Sequence, residues 1–472
     1  SSPANFDTQT TDLKTRDRLG RSSPVGTLPL GTFDWARQST GTDGEFGQDT
    51  AVDSQGNIYV VGYYSNQSAT FGAVTLTNGG GDDAFLVKYD SSGTVLWARK
   101  GSGAGNDGAR GVGVDNTDNV YIVGQFTGAN ITFDGTTLNS NGGRDAFVVK
   151  YNSAGTLQWA RNSSGGGDEH AWGGTADAAG NVYLTGYFTG TAVFGATTLN
   201  SSGAQDAFVA KYDTNGNVAW AKKGGGTANE EPWSVSTDSN GNVYMTGQFN
   251  SATCTFDGTT LTKAGGVDDG FLVKYNTSGV LQWAKSIGGT GRDVFNSTAV
   301  DTGGNVYAVG WFGSDSVTIG LGGGGVTTLT NANSPNDDLM LVKYDANGNV
   351  LWAKRGGGTG KDGFNYNAHG IAIHSSGQII VSGHFESTAT FGTTSVTTAG
   401  DADMFVVAYD SNGNTKWATR GGGTGKDEPF AVATDNFGSI YITGRTWSTT
   451  SSFGSNTLNL SGAVDMFLVK LK

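Results

Sequence analysis

Short runs of apolar and aromatic residues recur along this chain, alternating with polar positions and separated by stretches rich in glycine, aspartate and asparagine. Period-two alternation over so few residues predicts β-strands rather than helices. One segment shows the order: "GVGVD" (111–115), "NVYIVGQF" (119–126), "AFVVKYN" (146–152) and "LQWARN" (157–162) read as four strands. The turns have a chemical reason. In "DSQGN", "DSNGN", "DTNGN" and "DANGN" the Asp side chain caps a tight turn and the Gly supplies positive φ, which is how short hairpin loops close. The longer excursion between second and third strands, such as "ITFDGTTLNS" (131–140), predicts a small hairpin of its own.

The four-strand pattern repeats. Trp35, Trp97, Trp159, Trp220, Trp283, Trp352 and Trp417 stand in near-identical contexts at spacings of 62, 62, 61, 63, 69 and 65. Two further marks recur in step. The glycine that ends the "NVYxxG" line is Gly62, Gly124, Gly186, Gly247, Gly310, Gly383 and Gly444, and the aspartate that opens "DAFLVKYD" is Asp83, Asp145, Asp206, Asp269, Asp338, Asp403 and Asp465. Seven marks in each set predict an all-β, seven-bladed propeller of four-stranded antiparallel blades. A solenoid is the rival, and it needs polar capping repeats. The chain instead ends after a third strand, "MFLVKLK" (466–472), and starts with a lone fourth strand, "FDWARQ" (33–38), so an N-terminal strand is expected to join the last blade and close the ring.

"AVDSQGNIYVVG", "GDDAFLVKYDSSGTVLWARK" and their copies resemble the SBBP type of bacterial β-propeller repeat, a relative of NHL-like propellers, over roughly residues 31–472. The resemblance implies a fold and an exported or cell-surface module, and it supplies no catalytic residue.

Composition agrees with many short strands. Of 472 residues 78 are glycine, 11% are aromatic and only 15% are charged. A net charge of −13 argues against nucleic acid as partner, because phosphate binding needs a concentrated basic surface. The lone Cys254 can form neither an intrachain disulfide nor a cysteine zinc site. No apolar run reaches the length of a membrane span. The chain opens at Ser1 rather than at methionine, which favours export.

Residues that recur in every unit are expected to hold structure. The tryptophans read as blade packing and the aspartates before the third strand as local caps. The "DxNGN" loops offer too few carboxylates for calcium and read as hairpins. Eight residues before each strand-ending Asp lies another acid, giving Glu45, Asp107, Glu169, Glu230, Asp293 and Asp427, with Asp362 as the shifted equivalent in the sixth unit. Such acids would ring one propeller face and focus negative potential there. Three of the four histidines, His369, His374 and His384, fall in the sixth unit, and His170 enters the third. His369 and His384, neighbours across a hairpin, are the candidate ligands for a divalent cation and the centre of a lyase-like alternative. No nucleophile elbow, "HExxH" or phosphate loop is present.

Residues 1–30 form a separate arm with four basic residues, Lys14, Arg16, Arg18 and Arg21, and no sustained apolar period. A basic arm meeting the acidic body of a second copy would be a head-to-tail contact, which yields a closed oligomer or a filament. The sequence thus predicts an arm (1–30) and a propeller (31–472): a secreted or cell-surface scaffold, non-enzymatic and without a cofactor, self-associating through its arm. A surface module binding glycan or protein is the alternative.

Overall fold

The computed structural model describes residues 30–41, 44–65, 67–334, 336–360 and 370–472. Every regular element among them is a β-strand, and no helix is long and apolar enough to cross a membrane. Asp107–Val114 pairs with Val120–Thr127, which pairs with Arg144–Tyr151, which pairs with Leu157–Asn162, all antiparallel. The same meander is built on the first strands Glu45–Val52, Glu169–Ala176, Glu230–Thr237, Asp293–Val300, Gly370–Ile373 and Asp427–Thr434. In the unit that begins at Asp427 the outermost strand is Phe33–Gln38, whose register runs from Phe33 opposite Leu471 to Gln38 opposite Phe467. The backbone N–H groups of Gly31 and Thr32 donate to the Lys472 carbonyl, so the chain ends stand where other units have a turn.

Those other turns close as their chemistry predicts. Asp53 Oδ1 accepts from the N–H groups of Gln55 and Asn57 at 3.0 and 2.9 Å, and Gly56 takes φ of 80°. The excursions between second and third strands are hairpins, and they reach sideways. Asn130–Phe133 and Thr136–Asn139 pair with each other, and Phe133 pairs with Gly101 on the outer strand of the preceding unit. In the sixth unit this hairpin runs on without a break from Ile379–Phe391 into Thr394–Tyr409. No sheet closes on itself among the described residues; the units meet through side chains and through the pairing of these hairpins with the preceding outer strands.

The core lies between neighbouring units. Tyr59, Val61 and Leu86 of the first unit pack with Ile122, Phe147 and Val149 of the second, all essentially inaccessible. Each such side chain contributes about 1.5–3 kcal/mol when removed from water. The first strands stand side by side in chain order, and Asp427–Thr434 also packs against Glu45–Val52.

A polar stitch crosses the same boundaries. Lys88 lies 4.8 Å over the Tyr59 ring, 3.1 Å from Asp53, and donates to the Ser153 carbonyl of the next unit. Trp97 Nε1 donates to that same carbonyl. Lys150 and Trp159 do so to Thr214, Lys211 and Trp220 to Thr277, Lys274 and Trp283 to Ala346, and Lys343 and Trp352 to Ser411. Trp35 and Lys470, from opposite ends of the chain, meet on Ser91 of the first unit. Six of the seven recurring tryptophans are therefore packing residues with a bond attached; Trp417 packs in the core between units, but its Nε1 has no hydrogen-bond partner.

Candidate functional site

The acids expected to ring one face lie inside the boundaries between units. Glu45, Asp107, Glu169, Glu230, Asp293 and Asp427 are at most 1% exposed; Asp362 lies outside the described residues. They bind their own loops: Gly226 N–H donates to Glu230, Gly289 N–H to Asp293, and the Ser163 hydroxyl to Glu169. Each first-strand acid faces the third-strand Asp of the preceding unit. A Cβ placed on Gly422 would stand 2.4 Å from Asp403 Oδ1 and 2.9 Å from Asp427 Oδ2. Burial, and then Asp83, push Asp107 up to about 8; burial likewise raises Glu169 to about 8 and Glu230 to about 7. These six carboxyl groups thus lie within the body of the protein rather than on its surface.

Of the candidate histidines in the sixth unit, His374 and His384 are described, and they stand at opposite ends of the strand pair. His374 takes the place of the turn aspartate, its Nδ1 accepting from Ser376 N–H at 3.1 Å. His384 is buried on the second strand of the sixth unit, and His369 lies outside the described residues. Among the described residues no group of three or more His, Cys, Asp or Glu side chains converges. Lys14, Arg16, Arg18 and Arg21 also lie outside them.

What does converge is a set of positions that differ from unit to unit. In six first strands the register against the second strand skips one residue: Gln48, Arg110, Trp172, Trp233, Asn296 and Phe430. Each is a β-bulge, which leaves one residue unpaired and re-aims its side chain. All six line one cavity of about 240 Å³ enclosed by the middle of the first strands. The recurring glycine opposite makes room for the bulge. A Cβ on Gly62 would stand 1.8 Å from the Phe46 carbonyl oxygen, and one on Gly186 would stand 1.7 Å from that of His170. The glycine recurs because no other side chain fits there, and the residue that it releases is free to vary.

Around the cavity, rings and guanidinium groups alternate. Arg445 lies over Trp447, Phe430 and Phe46 at 4.4, 4.9 and 5.4 Å, and Phe46 stacks on Tyr63 at 4.7 Å. Arg110 spans Tyr63 and Trp172 at 4.7 and 5.1 Å, and Trp172 meets Trp233 at 5.3 Å. Further round, Glu231 accepts from Gln248, Gln248 accepts from Arg292, and Arg292 lies over Trp311. Inside, Asp49 accepts from the N–H groups of Thr50 and Val112, and burial raises it to about 7. Trp172 Nε1, Arg110 Nε, Ser236 Oγ, Asn296 Oδ1 and Thr298 Oγ1 are buried without a hydrogen-bond partner, and their residues all line the cavity. Buried polar groups are ordinarily satisfied, so this wall is made for polar contents.

A signal for this site stands in the sequence. Of 11 tryptophans seven carry the repeat, and the four others, Trp172, Trp233, Trp311 and Trp447, all stand on this rim.

Residues 416–450 match the β-propeller repeat model named SBBP, as the resemblance implied. The chain is 27% identical over 534 residues to the uncharacterized WD repeat-containing protein L264 of Acanthamoeba polyphaga mimivirus, covering 93% of this chain and 37% of that protein. It is 31% identical over 135 residues to the regulatory protein FlaEY of Caulobacter vibrioides, covering 28% of this chain and 14% of that one. The chain thus spans well under half the length of these relatives. A solved structure titled as the eukaryotic initiation factor aligns over 92% of this chain and 98% of its own at 8% identity and a TM-score of 0.34. Among its described residues the chain is all-β; it matches a β-propeller repeat over residues 416–450 and is similar to a WD repeat-containing protein.

Proposed function

We propose that this chain is a seven-bladed β-propeller, closed by its N-terminal strand, that acts as a non-enzymatic module binding a protein partner at the bulged rim. Closure is supported by the first strands, which pack in order back to the first. It is also supported by Trp35 and Lys470, which stitch the last unit to Ser91 as the first five units are each stitched to their successors. The observation that carries the binding reading is the rim itself. Six equivalent bulges present amide, guanidinium and aromatic side chains of five residue types to one cavity, amid the tryptophans, tyrosines and arginines in which interface hot spots are rich. Acids and histidines at repeating positions are held in turns and boundaries.

The test compares the wild-type chain with a Trp172→Ala, Trp233→Ala double variant of unchanged melting temperature. Immobilised through the face opposite the rim, the wild type retains a partner from the native cells and the variant does not. Equal retention by both overturns the reading.

A second proposal concerns the arm. The chain enters the fold at Gly31 beside Trp417, where a third-to-fourth-strand turn would lie, on the face opposite the rim. From there Lys14, Arg16, Arg18 and Arg21 are free to reach a second copy and build an oligomer or filament, with the protein exported or on the cell surface. Light scattering that is unchanged on deletion of residues 1–29 rules that out.

A further inference from the structure

The charges of the rim are unevenly paired. Arg292 meets Asp268 at 2.8 Å and Arg445 meets Glu428 at 2.7 Å. Among the described residues no carboxylate forms an ion pair with Arg110 or Arg144. In a chain of net charge −13, two neighbouring guanidinium groups outside any ion pair, with Asp82 attracting Arg110 from beyond ion-pair distance, mark one sector as a receiver of negative charge.

The donors of that sector are only partly spent. Arg110 Nη1 donates to Gln48 Oε1 at 2.7 Å and its guanidinium also hydrogen-bonds Tyr63, but Nε is buried and has no acceptor. Trp172, 5.1 Å beneath the same guanidinium, holds its Nε1–H in the same condition. Arg144 Nη1 stands 3.2 Å from His170 Nδ1, and the His170 ring lies 5.6 Å from Trp172. Burial, then Arg144 and Arg110, push His170 down to about 3, so its neutral ring accepts from Arg144 and brings no charge of its own.

We propose that Arg110, Trp172 and Arg144 form a subsite for a carboxylate, and that its natural occupant is an acidic side chain on an exposed segment of the partner. This rests on the protein-binding reading above and names the chemistry that such a partner must carry. An arginine whose Nε and neighbouring ring N–H both seek an acceptor matches an anionic oxygen, and hydrogen bonds to a charged acceptor are the stronger kind. The surrounding belt of Tyr63, Phe46 and Trp233 favours a peptide over a free ion, because it offers apolar area for the residues flanking the acid. Asp49 lies one residue deeper than Gln48 on the same strand with backbone N–H groups on its oxygens, which leaves the outer sector to the ligand. The basic arm of the chain has the wrong sign for this subsite.

The experiment is calorimetric titration of the full chain with three probes: capped tri-glutamate, capped tri-glutamine and glucuronate. Tri-glutamate binds, weakens as salt is raised, and loses about tenfold or more in affinity on Arg110→Gln and on Arg144→Gln. Tri-glutamine does not bind. Absence of tri-glutamate binding, or unchanged affinity in Arg144→Gln, the less buried of the two changes, overturns the subsite. Tighter binding of glucuronate than of tri-glutamate overturns the peptide as its occupant. If the arginine variants retain the cellular partner while the tryptophan variant loses it, the subsite falls and the rim reading stands.

Discussion

Trp159 donates its indole N–H to the carbonyl of Thr214 at 3.1 Å, tying the outer strand of one unit to the turn of the next. Its ring also covers Gly216, where a Cβ would stand 2.9 Å from the indole. Trp159→Ala therefore removes ring packing and a bond together, and it should cost about 2–4 kcal/mol, somewhat less than for a fully enclosed ring. Trp283→Ala, whose partner is Ala346, should cost a similar amount. Denaturant melts of the two variants check this, and a loss under about 1 kcal/mol at both sites contradicts the stitch.

The bulge glycines make a sharper demand. A methyl group at position 186 would meet the His170 carbonyl oxygen at 1.7 Å, and neither strand can move without breaking its ladder. Gly186→Ala should destabilise by roughly 3 kcal/mol, in the range seen for overpacked interiors. Gly135→Ser, on a hairpin tip with open space around it, is the control for a glycine whose need is only its positive φ, and it should cost less. Comparison of the two melting curves decides the point.

The buried acids set a pH dependence of unusual sign. Asp107 and Glu169 are raised to about 8 and Glu230 to about 7, chiefly by burial, so the folded chain holds their protons more tightly than the unfolded chain does. Stability from these groups is complete below about pH 4 and is lost as pH rises through 7 and 8. The turn acids Asp53, Asp115 and Asp301, held below the ordinary carboxylate range by hydrogen bonds, act oppositely and lose their contribution as pH falls through that range. Tm should therefore peak in mildly acidic solution and decline toward pH 8. Asp107→Asn should flatten the decline and stabilise the chain by about 1–3 kcal/mol at pH 8, with little effect at pH 4. A Tm that rises steadily from pH 5 to 8 in the wild type would refute the assignment.

Closure has its own test. Deleting residues 1–38 removes the strand that covers Asp465–Leu471, exposing an apolar edge. The shortened chain should aggregate or lose cooperative melting, whereas deletion of residues 1–29 should leave the melt intact. Sharp melting of both at the parent temperature contradicts a closing strand.

Reading the chain by its repeats finds the scaffold and passes over the site, for one physical reason. Asp53, Tyr59, Lys88 and Trp97 recur because every boundary between units poses the same packing problem, so their periodicity reports strands, turns and stitches. The hydrophobic pattern likewise locates Phe33–Gln38 and its pairing before any coordinates are known. The acids of the first strand recur for the same structural reason, and their periodicity says nothing of burial, which three-dimensional packing decides. Gln48, Arg110, Trp172, Trp233, Asn296 and Phe430 range over amide, guanidinium and aromatic side chains, so a search for one recurring residue does not collect them. Only the bulge, a register event between two strands, shows that they are one position.

That bulge divides the labour of selection. A residue outside the hydrogen-bonded ladder, facing a cavity, can be exchanged without disturbing the strand that bears it, provided the glycine across from it stays. The bulged positions are thus a register of variable letters carried on a fixed support, with neighbouring letters such as Gln48, Arg110, Trp172 and Trp233 in contact. Gene duplication of units would supply identical letters, and point changes would then spell a recognition surface one letter at a time, each tested for binding without penalty to folding. A library randomised at these six codons alone should yield many soluble variants with new specificities, whereas the same diversity placed on the glycines should yield few that fold.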